Sequence, residues 1–164
     1  MRPKRGPGRP RVDPARRFWQ KVDTTGDCWN WTAQLNKDGY GRFWDGTRKV
    51  LAHRFAWEER NGEVPSGMQI DHKCINPKCV NPEHLRVVTQ SQNMQNLRGA
   101  QRRNRTGVRG VHWCRHKQRY VAHVTLNNKV HFVGQFADLE EAARRVKQVR
   151  LTLHTHNELD RISQ

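Results

Sequence analysis

The spacing of Cys74, Cys79 and His84, with four residues between neighbours, constrains the possible fold more than any other feature of this chain. Thiolate and imidazole ligands at such spacing are typical of a closed tetrahedral zinc site, and Cys28 can supply the fourth ligand. A zinc site stabilises a small domain that buries too little apolar surface to be stable by itself. The sequence therefore predicts one structural zinc, and buried thiols without a metal are the alternative for the cysteines.

A second set of chemically active side chains is interleaved with the first. Asp71 and Asn93 carry hard oxygen atoms of the kind that bind magnesium. His72 can act as a base near neutral pH. An activated water and a cation that neutralises developing charge are what phosphodiester hydrolysis requires. The alternative, in which His72 and His84 both bind a structural zinc, leaves the two oxygen ligands without a role.

The charge of the chain favours a polyanionic partner. Its 164 residues include 31 Lys and Arg against 15 Asp and Glu, for a formal net charge of +16. This is the electrostatic signature of a nucleic-acid-binding protein, although a generic basic protein would share it. Together with the metal ligands and the histidine, the charge predicts an enzyme that cuts DNA.

The cysteines and the hydropathy of the chain indicate its compartment. Four cysteines without a secretory signal favour a reducing environment, so we expect a cytoplasmic protein. The sequence has no run of about 18 apolar residues, and we therefore expect no membrane insertion.

Hydrophobic residues make up 34% of the chain, which is low for a single core and favours two small domains. The predicted strands and helices make the expected fold class α+β. We expect a disordered basic tail, a metal-binding domain, a basic linker and a second domain, over residues 1–15, 16–97, 98–106 and 107–164. In the first domain, residues 50–60 have helical periodicity. In the second, strands are predicted at 108–114, 119–126 and 129–136, followed by a helix from Asp138 to about His154 that packs on the sheet.

Residues 25–96 resemble the HNH or ββα-metal nucleases, in particular phage homing endonucleases, through the segments IDH, NPEHL and TQSQN. The cysteines add a resemblance to the His-Cys-box homing endonucleases. In that group the general base stands two residues before the first cysteine and the metal-binding Asn nine after the His, as His72 and Asn93 do here. The resemblance implies that His72 deprotonates water. It also implies that Asn93 and Asp71 bind one catalytic magnesium or manganese ion, although His-Cys-box enzymes need not have the carboxylate.

Two roles stay open within this resemblance. His84 falls where many HNH members have an Asn that orients the loop carrying the base, and we assign it to zinc. Arg54 precedes the motif and would stabilise charge at the scissile phosphate. Pairing of Arg54 with a surface carboxylate is the equally weighted alternative.

Residues 104–154 resemble the plant ethylene-responsive-factor type of DNA-binding domain, through GVRGV at 107–111 and VGQF at 133–136. The resemblance implies a three-stranded antiparallel sheet in the major groove with one helix behind it, and a solvated basic sheet is the alternative. In the tail, Gly8-Arg9-Pro10 resembles an AT-hook, with a solvated basic tail as its alternative. The predicted DNA contacts are Arg9, Arg109, His112, Arg115, Lys117, Arg119, His123 and Thr125.

These features together predict a sequence-directed, homing-type endonuclease that hydrolyses double-stranded DNA in a bacterial or phage-infected cell. We expect no small-molecule cofactor. A monomer is slightly favoured over a homodimer, because the resemblance to phage HNH enzymes with appended modules implies a monomer, whereas the His-Cys-box resemblance implies a dimer. With one active site per chain, a monomer should nick and a symmetric dimer could make a double-strand break. The alternatives are a non-catalytic, zinc-stabilised DNA-binding regulator and, among enzymes, a restriction or repair nuclease.

Overall fold

The computed structural model describes residues 12–97, 99–100 and 103–162 of a chain that mixes helices with small sheets. Its contacts define two compact units. The first contains the described residues up to Val64 together with Asn76–Arg86, and the second contains Pro65–Ile75 and the described residues from Val87 onward. Among the helices of the described residues, none has the length and apolar character needed to span a bilayer. Arg9, the predicted AT-hook arginine, lies outside the described residues.

The first unit consists of short helices and two antiparallel hairpins. Helix α1 begins at Pro14, inside the segment that the sequence predicted as tail, because Asp13 accepts from the backbone N–H of Ala15 and proline fits the first turn. The predicted helix over 50–60 begins two residues late, since Val50 and Leu51 pair in a hairpin. The elements are α1 (Pro14–Trp19), β1 (Val22–Asp23), β2 (Asn30–Trp31), β3 (Arg42–Trp44), β4 (Lys49–Leu51) and α2 (Ala52–Asn61), with a 3-10 turn at Pro82–His84.

Aromatic rings form the core of the first unit. Phe18 is fully buried, and its ring centroid lies 5.0 Å from that of Trp31 and 5.1 Å from that of Phe43. Gly41 allows this packing, because a Cβ atom there would lie 2.7 Å from both Trp31 and the Cβ of Ala52. The core therefore holds the strand that follows Cys28 in a fixed place.

The remaining elements are a strand pair with one short helix, and a three-stranded sheet with two more helices. Strand β5 pairs with β6, and Thr89 and Gln92 form a reciprocal capping box at the start of α3. The elements are β5 (Gln69–His72), β6 (Leu85–Val88), α3 (Gln90–Gln95), β7 (Val111–Cys114), β8 (Arg119–Leu126), β9 (Lys129–Phe136), α4 (Leu139–Leu153) and α5 (Glu158–Ile162).

The antiparallel sheet β7-β8-β9 encloses a small aliphatic core with α4. Its buried members are Val111, Ala122, Val124, Ala142 and Val146. Strand β7 begins three residues later than predicted. The preceding residues form a turn in which Gly107 and Gly110 have φ angles of 70° and 83°. A Cβ atom on Gly110 would lie 2.5 Å from the carbonyl oxygen of His123, so the backbones approach closely there.

Candidate active site and metal centre

The side chains of Cys28, Cys74, Cys79 and His84 form a cluster whose ligand atoms lie within 4.8 Å of one another. The Nδ1 atom of His84 is 3.5 Å from the sulfur of Cys28 and 3.6 Å from that of Cys79. In a tetrahedral zinc site with ordinary bond lengths, adjacent sulfur and nitrogen ligands are separated by about 3.6 Å. Both the donor set and the distances fit zinc, so this Cys3His cluster could bind it.

Backbone pairing brings the first cysteine to the third. The N–H of Trp31 donates to the carbonyl of Lys78 at 2.9 Å, and the N–H of Val80 donates to the carbonyl of Trp29 at 2.7 Å. Buried Asn81 completes the arrangement with both ends of its side chain. Its oxygen accepts from the N–H of Glu83 and caps the turn that carries His84, and its amide nitrogen donates to the carbonyl of Asp27.

Asp27 lies beside this centre and was not identified from the sequence. Its carboxylate oxygen lies 3.5 Å from Nε2 of His84, whose other ring nitrogen faces the sulfurs. The Asp27 side chain is 94% exposed, so solvent weakens its interaction with the imidazole. The one available signal in the sequence was the position of Asp27 next to Cys28.

Asp71 and His72 are the last two residues of β5 and are 8% and 6% exposed. The chain turns immediately after them, because the N–H of Ile75 donates to the carbonyl of His72 at 3.2 Å. Ile75 has a φ of 61°, which is strained for a β-branched residue. The strained position therefore lies between the candidate catalytic pair, Asp71 and His72, and the last two cluster residues, Cys79 and His84.

Asn93 lies on α3, which contacts β5. Its amide nitrogen donates to the side-chain oxygen of Gln69, the first residue of that strand. With its nitrogen engaged in this way, the amide of Asn93 has its oxygen available as a ligand for a cation. Gln69 was not identified from the sequence, because its partner lies 24 positions away.

Asn96, which caps the end of α3, was also missed. Its amide nitrogen lies 3.2 Å from each carboxylate oxygen of Asp71 and 3.3 Å from the carbonyl oxygen of His72. Its position three residues after Asn93 places both on one side of a helical turn, which was the available signal. The structure thus brings Asp71 and His72 together with a second asparagine at the end of the helix that carries Asn93.

Arg54 lies on α2, where its Nε donates to the carboxylate of Glu58 at 2.8 Å. This is the surface pairing expected as the alternative to a catalytic role. Such an i,i+4 pair contributes about 0.3–0.5 kcal/mol to helix stability.

The remaining predicted DNA contacts divide into two groups. The side chains of His112, Arg115, Lys117, Arg119 and Thr125 are exposed on or beside the β7–β8 hairpin. His123 is half-buried with its ring centroid 5.6 Å from that of His112. Burial and the neighbouring His112 lower the pKa of His123, which favours its neutral form.

Arg109 has a different environment from the other predicted contacts. Its guanidinium donates to the carbonyls of Met94 and Gln95 at 2.8 Å and to that of Leu97 at 3.3 Å. These are the last carbonyls of α3 and the residues after it, so Arg109 caps the C-terminal end of this helix.

Two exposed apolar residues on β9 were not singled out from the sequence. Val130 is 68% exposed and Phe132 is 65% exposed. They are paired across the sheet with Thr125 and His123 and therefore share the face of those predicted DNA contacts.

Comparison with known proteins identifies the segment that contains Asp71, His72 and Asn93. The HNH endonuclease family matches residues 50–95. The chain is 41% identical over 71 residues to Protein 7.7 of Escherichia phage T7, which covers 43% of this chain and 55% of that protein. Protein 2.8 of the same phage is 38% identical over 79 residues, covering 47% of this chain and 52% of that protein.

A third relative, Protein 3.8 of Escherichia phage T7, is 28% identical over 118 residues, or 72% of this chain and 93% of that protein. The chain spans about half the length of Proteins 7.7 and 2.8. No solved structure matches it. Residues 50–95 are therefore a domain of the HNH endonuclease family, in a chain with homologues among phage proteins.

Proposed function

We propose that this protein is a homing-type endonuclease that hydrolyses phosphodiester bonds in double-stranded DNA with one catalytic divalent cation. The family match over residues 50–95 carries the proposal, because this segment contains Asp71, His72 and Asn93. The net charge of +16 supports a nucleic-acid substrate.

In this mechanism His72 accepts the proton of the attacking water. Its low exposure and its place at the end of β5 fix the ring, and the hydrogen bonds to its carbonyl fix its backbone. Asp71 and the amide oxygen of Asn93 would hold magnesium or manganese, and such an ion neutralises charge that develops at the scissile phosphate. General-base catalysis typically contributes about 10²–10⁴-fold to the rate.

The Cys3His cluster serves in this proposal as the binding site of one structural zinc. Zinc bound by these ligands would contribute folding free energy to a small domain. The ligands would be Cys28, Cys74, Cys79 and His84.

The sheet of the second unit would bind the DNA. A groove of about 1300 Å³ runs between α3 and the β7–β8 hairpin and is lined by cations that include Arg103, Arg105 and Arg115. Phosphates along this groove would pass beside the helix that carries Asn93. Exposed Val130 and Phe132 offer apolar contact to thymine methyl groups. Arg109 is left out of the proposed contacts, because its donors are directed at backbone carbonyls.

The domain organisation predicted from the sequence is also part of the proposal. The tail with Arg9 adds phosphate or minor-groove contacts, and residues 16–97 and 107–164 form the cutting and binding domains on either side of a basic linker. The protein acts as a monomer in the cytoplasm of a bacterial or phage-infected cell. Catalytic participation of Arg54 is not carried forward, because its guanidinium pairs with Glu58.

The test is a nicking assay on supercoiled plasmid with magnesium, with manganese and with a chelator. The parental protein should nick the plasmid in magnesium or manganese and should be inactive when the chelator removes the metal ion. The Asn93→Ala variant should nick more slowly, and high manganese should partly restore its rate. A protein that binds DNA tightly but leaves the plasmid intact under every metal condition would be the zinc-stabilised regulator instead.

A further inference from the structure

The side chain of Asn96 joins the end of α3 to the two residues that end β5. Its amide nitrogen lies 3.2 Å from each carboxylate oxygen of Asp71 and 3.3 Å from the carbonyl oxygen of His72. Its backbone N–H donates to the carbonyl of Asn93 at 3.1 Å. Asn96 was not among the predicted catalytic residues. It nevertheless contacts Asp71 and His72 through its side chain and Asn93 through its backbone.

The surroundings of Asn96 accept one orientation of its amide. A flipped amide would direct its oxygen at three other acceptors, two on Asp71 and one on His72. In the observed orientation the oxygen of Asn96 is buried and has no hydrogen-bond partner among the described residues. A buried acceptor without a donor costs stability. The three acceptors around its nitrogen fix this orientation, and that contact set points to a positioning role for the amide.

A neutral donor suits a carboxylate that must bind a cation. Lysine or arginine at this position would hold Asp71 equally well but would compensate its negative charge. A carboxylate has about four lone-pair sites, and one amide nitrogen uses a fraction of that capacity. Asn96 can therefore orient Asp71 while the carboxylate keeps its full charge.

We propose that Asn96 is a positioning residue of the nuclease site, which holds the Asp71 carboxylate and the His72 backbone in register with Asn93. This inference rests on the proposed function and deepens it. Residues that hydrogen-bond to metal ligands and orient them typically contribute about 10–100-fold to metal affinity or activity. Loss of the Asn96 amide should therefore weaken binding of the catalytic cation by about tenfold or more.

The experiment compares Mn²⁺ binding, measured by electron paramagnetic resonance on the zinc-loaded full chain, with nicking rates over a range of Mg²⁺. The variants are Asn96→Ala and Asn96→Leu, the second of which keeps the bulk but removes the donor. Both should raise the Mn²⁺ dissociation constant and the half-activating Mg²⁺ concentration by about tenfold, and the nicking rate should recover at saturating Mg²⁺. The matched control is Asn61→Ala, which removes a helix-end amide that donates to the carbonyl of Trp57 at 3.2 Å. This control should behave as the parental protein does.

Parental Mn²⁺ binding in both Asn96 variants would overturn the proposal, whatever their nicking rates. If Asn96→Ala unfolds at the assay temperature, Asn96→Ser replaces it and the Mn²⁺ comparison still decides the role. A parental protein that binds Mn²⁺ but cuts no DNA would refute the proposed function while leaving the comparison at Asn96 intact. A parental protein that binds no Mn²⁺ would refute both.

Discussion

Replacement of Arg109 by methionine distinguishes a helix cap from a DNA contact. The change keeps an apolar stem but removes the donors to the carbonyls of Met94, Gln95 and Leu97. Hydrogen bonds that involve a charged group contribute about 1.5–3 kcal/mol each. The two bonds at 2.8 Å, taken at the lower end of that range, give a loss of about 3 kcal/mol in the free energy of unfolding.

The assay is thermal unfolding alongside gel-shift affinity for DNA. A loss of about 3 kcal/mol should lower the Tm by roughly 10 °C or more, since 1 kcal/mol corresponds to about 4–8 °C in a domain of this size. The matched control is Arg115→Met, because the Arg115 side chain is exposed. It should keep its Tm, lose affinity for DNA and reduce the salt dependence of binding by about one counterion.

The reverse pattern would refute this reasoning. If Arg109→Met melts at the parental temperature and binds DNA more weakly, Arg109 contacts DNA, as its place in the predicted set required.

Three further predictions concern the metal centre, pH and the tail. Cys79→Ala should lose zinc in elemental analysis and unfold under conditions where the parental protein is folded, because structural zinc contributes about 10–16 kcal/mol of apparent binding free energy; a folded variant with full zinc content would contradict this. Burial lowers the pKa of His154 below its ordinary value of 6.5. The unfolded chain therefore takes up this proton at a higher pH than the folded chain does, and the free energy of unfolding should fall as the pH drops below 6.5. Denaturant titrations of the parental protein and of His154→Gln should show a smaller fall in the variant, and equal slopes would exclude His154 as the cause. Removal of residues 1–11 should weaken DNA binding and flatten its salt dependence. An equal loss on A·T-flanked and G·C-flanked targets would leave the solvated-tail hypothesis and exclude the AT-hook.

The metal ligands could be predicted from sequence because their chemistry restricts their spacing. Cys74, Cys79 and His84 are close along the chain, and the structure places their ligand atoms together with that of Cys28. The start of α4 could also be predicted from the sequence, because Asp138 is a typical N-cap residue. In the structure its carboxylate accepts from the N–H of Glu141 at 2.7 Å. Local rules of this kind need no knowledge of tertiary contacts.

The supporting contacts could not be predicted, because they depend on which distant residues the fold brings together. Asn96 and Asp71 are 25 positions apart, and Arg109 reaches Gln95 over 14 positions. The resemblance to the plant DNA-binding domain favoured Arg109 as a DNA contact, but a resemblance in sequence does not reveal the unpaired carbonyls at the end of a nearby helix. The late start of β7 has a similar origin, since the approach of Gly110 to His123 is a tertiary contact.

The nicking rate of His72→Ala, measured beside its DNA affinity and zinc content, tests the central claim most directly. We predict a nicking rate reduced by about 10²–10⁴-fold, a DNA-binding free energy changed by less than about 1 kcal/mol and a full complement of zinc. High Mg²⁺ or Mn²⁺ should not restore this rate, in contrast to Asn93→Ala. A variant that cuts at the parental rate, or one that loses its zinc and unfolds, would show that His72 is not the general base.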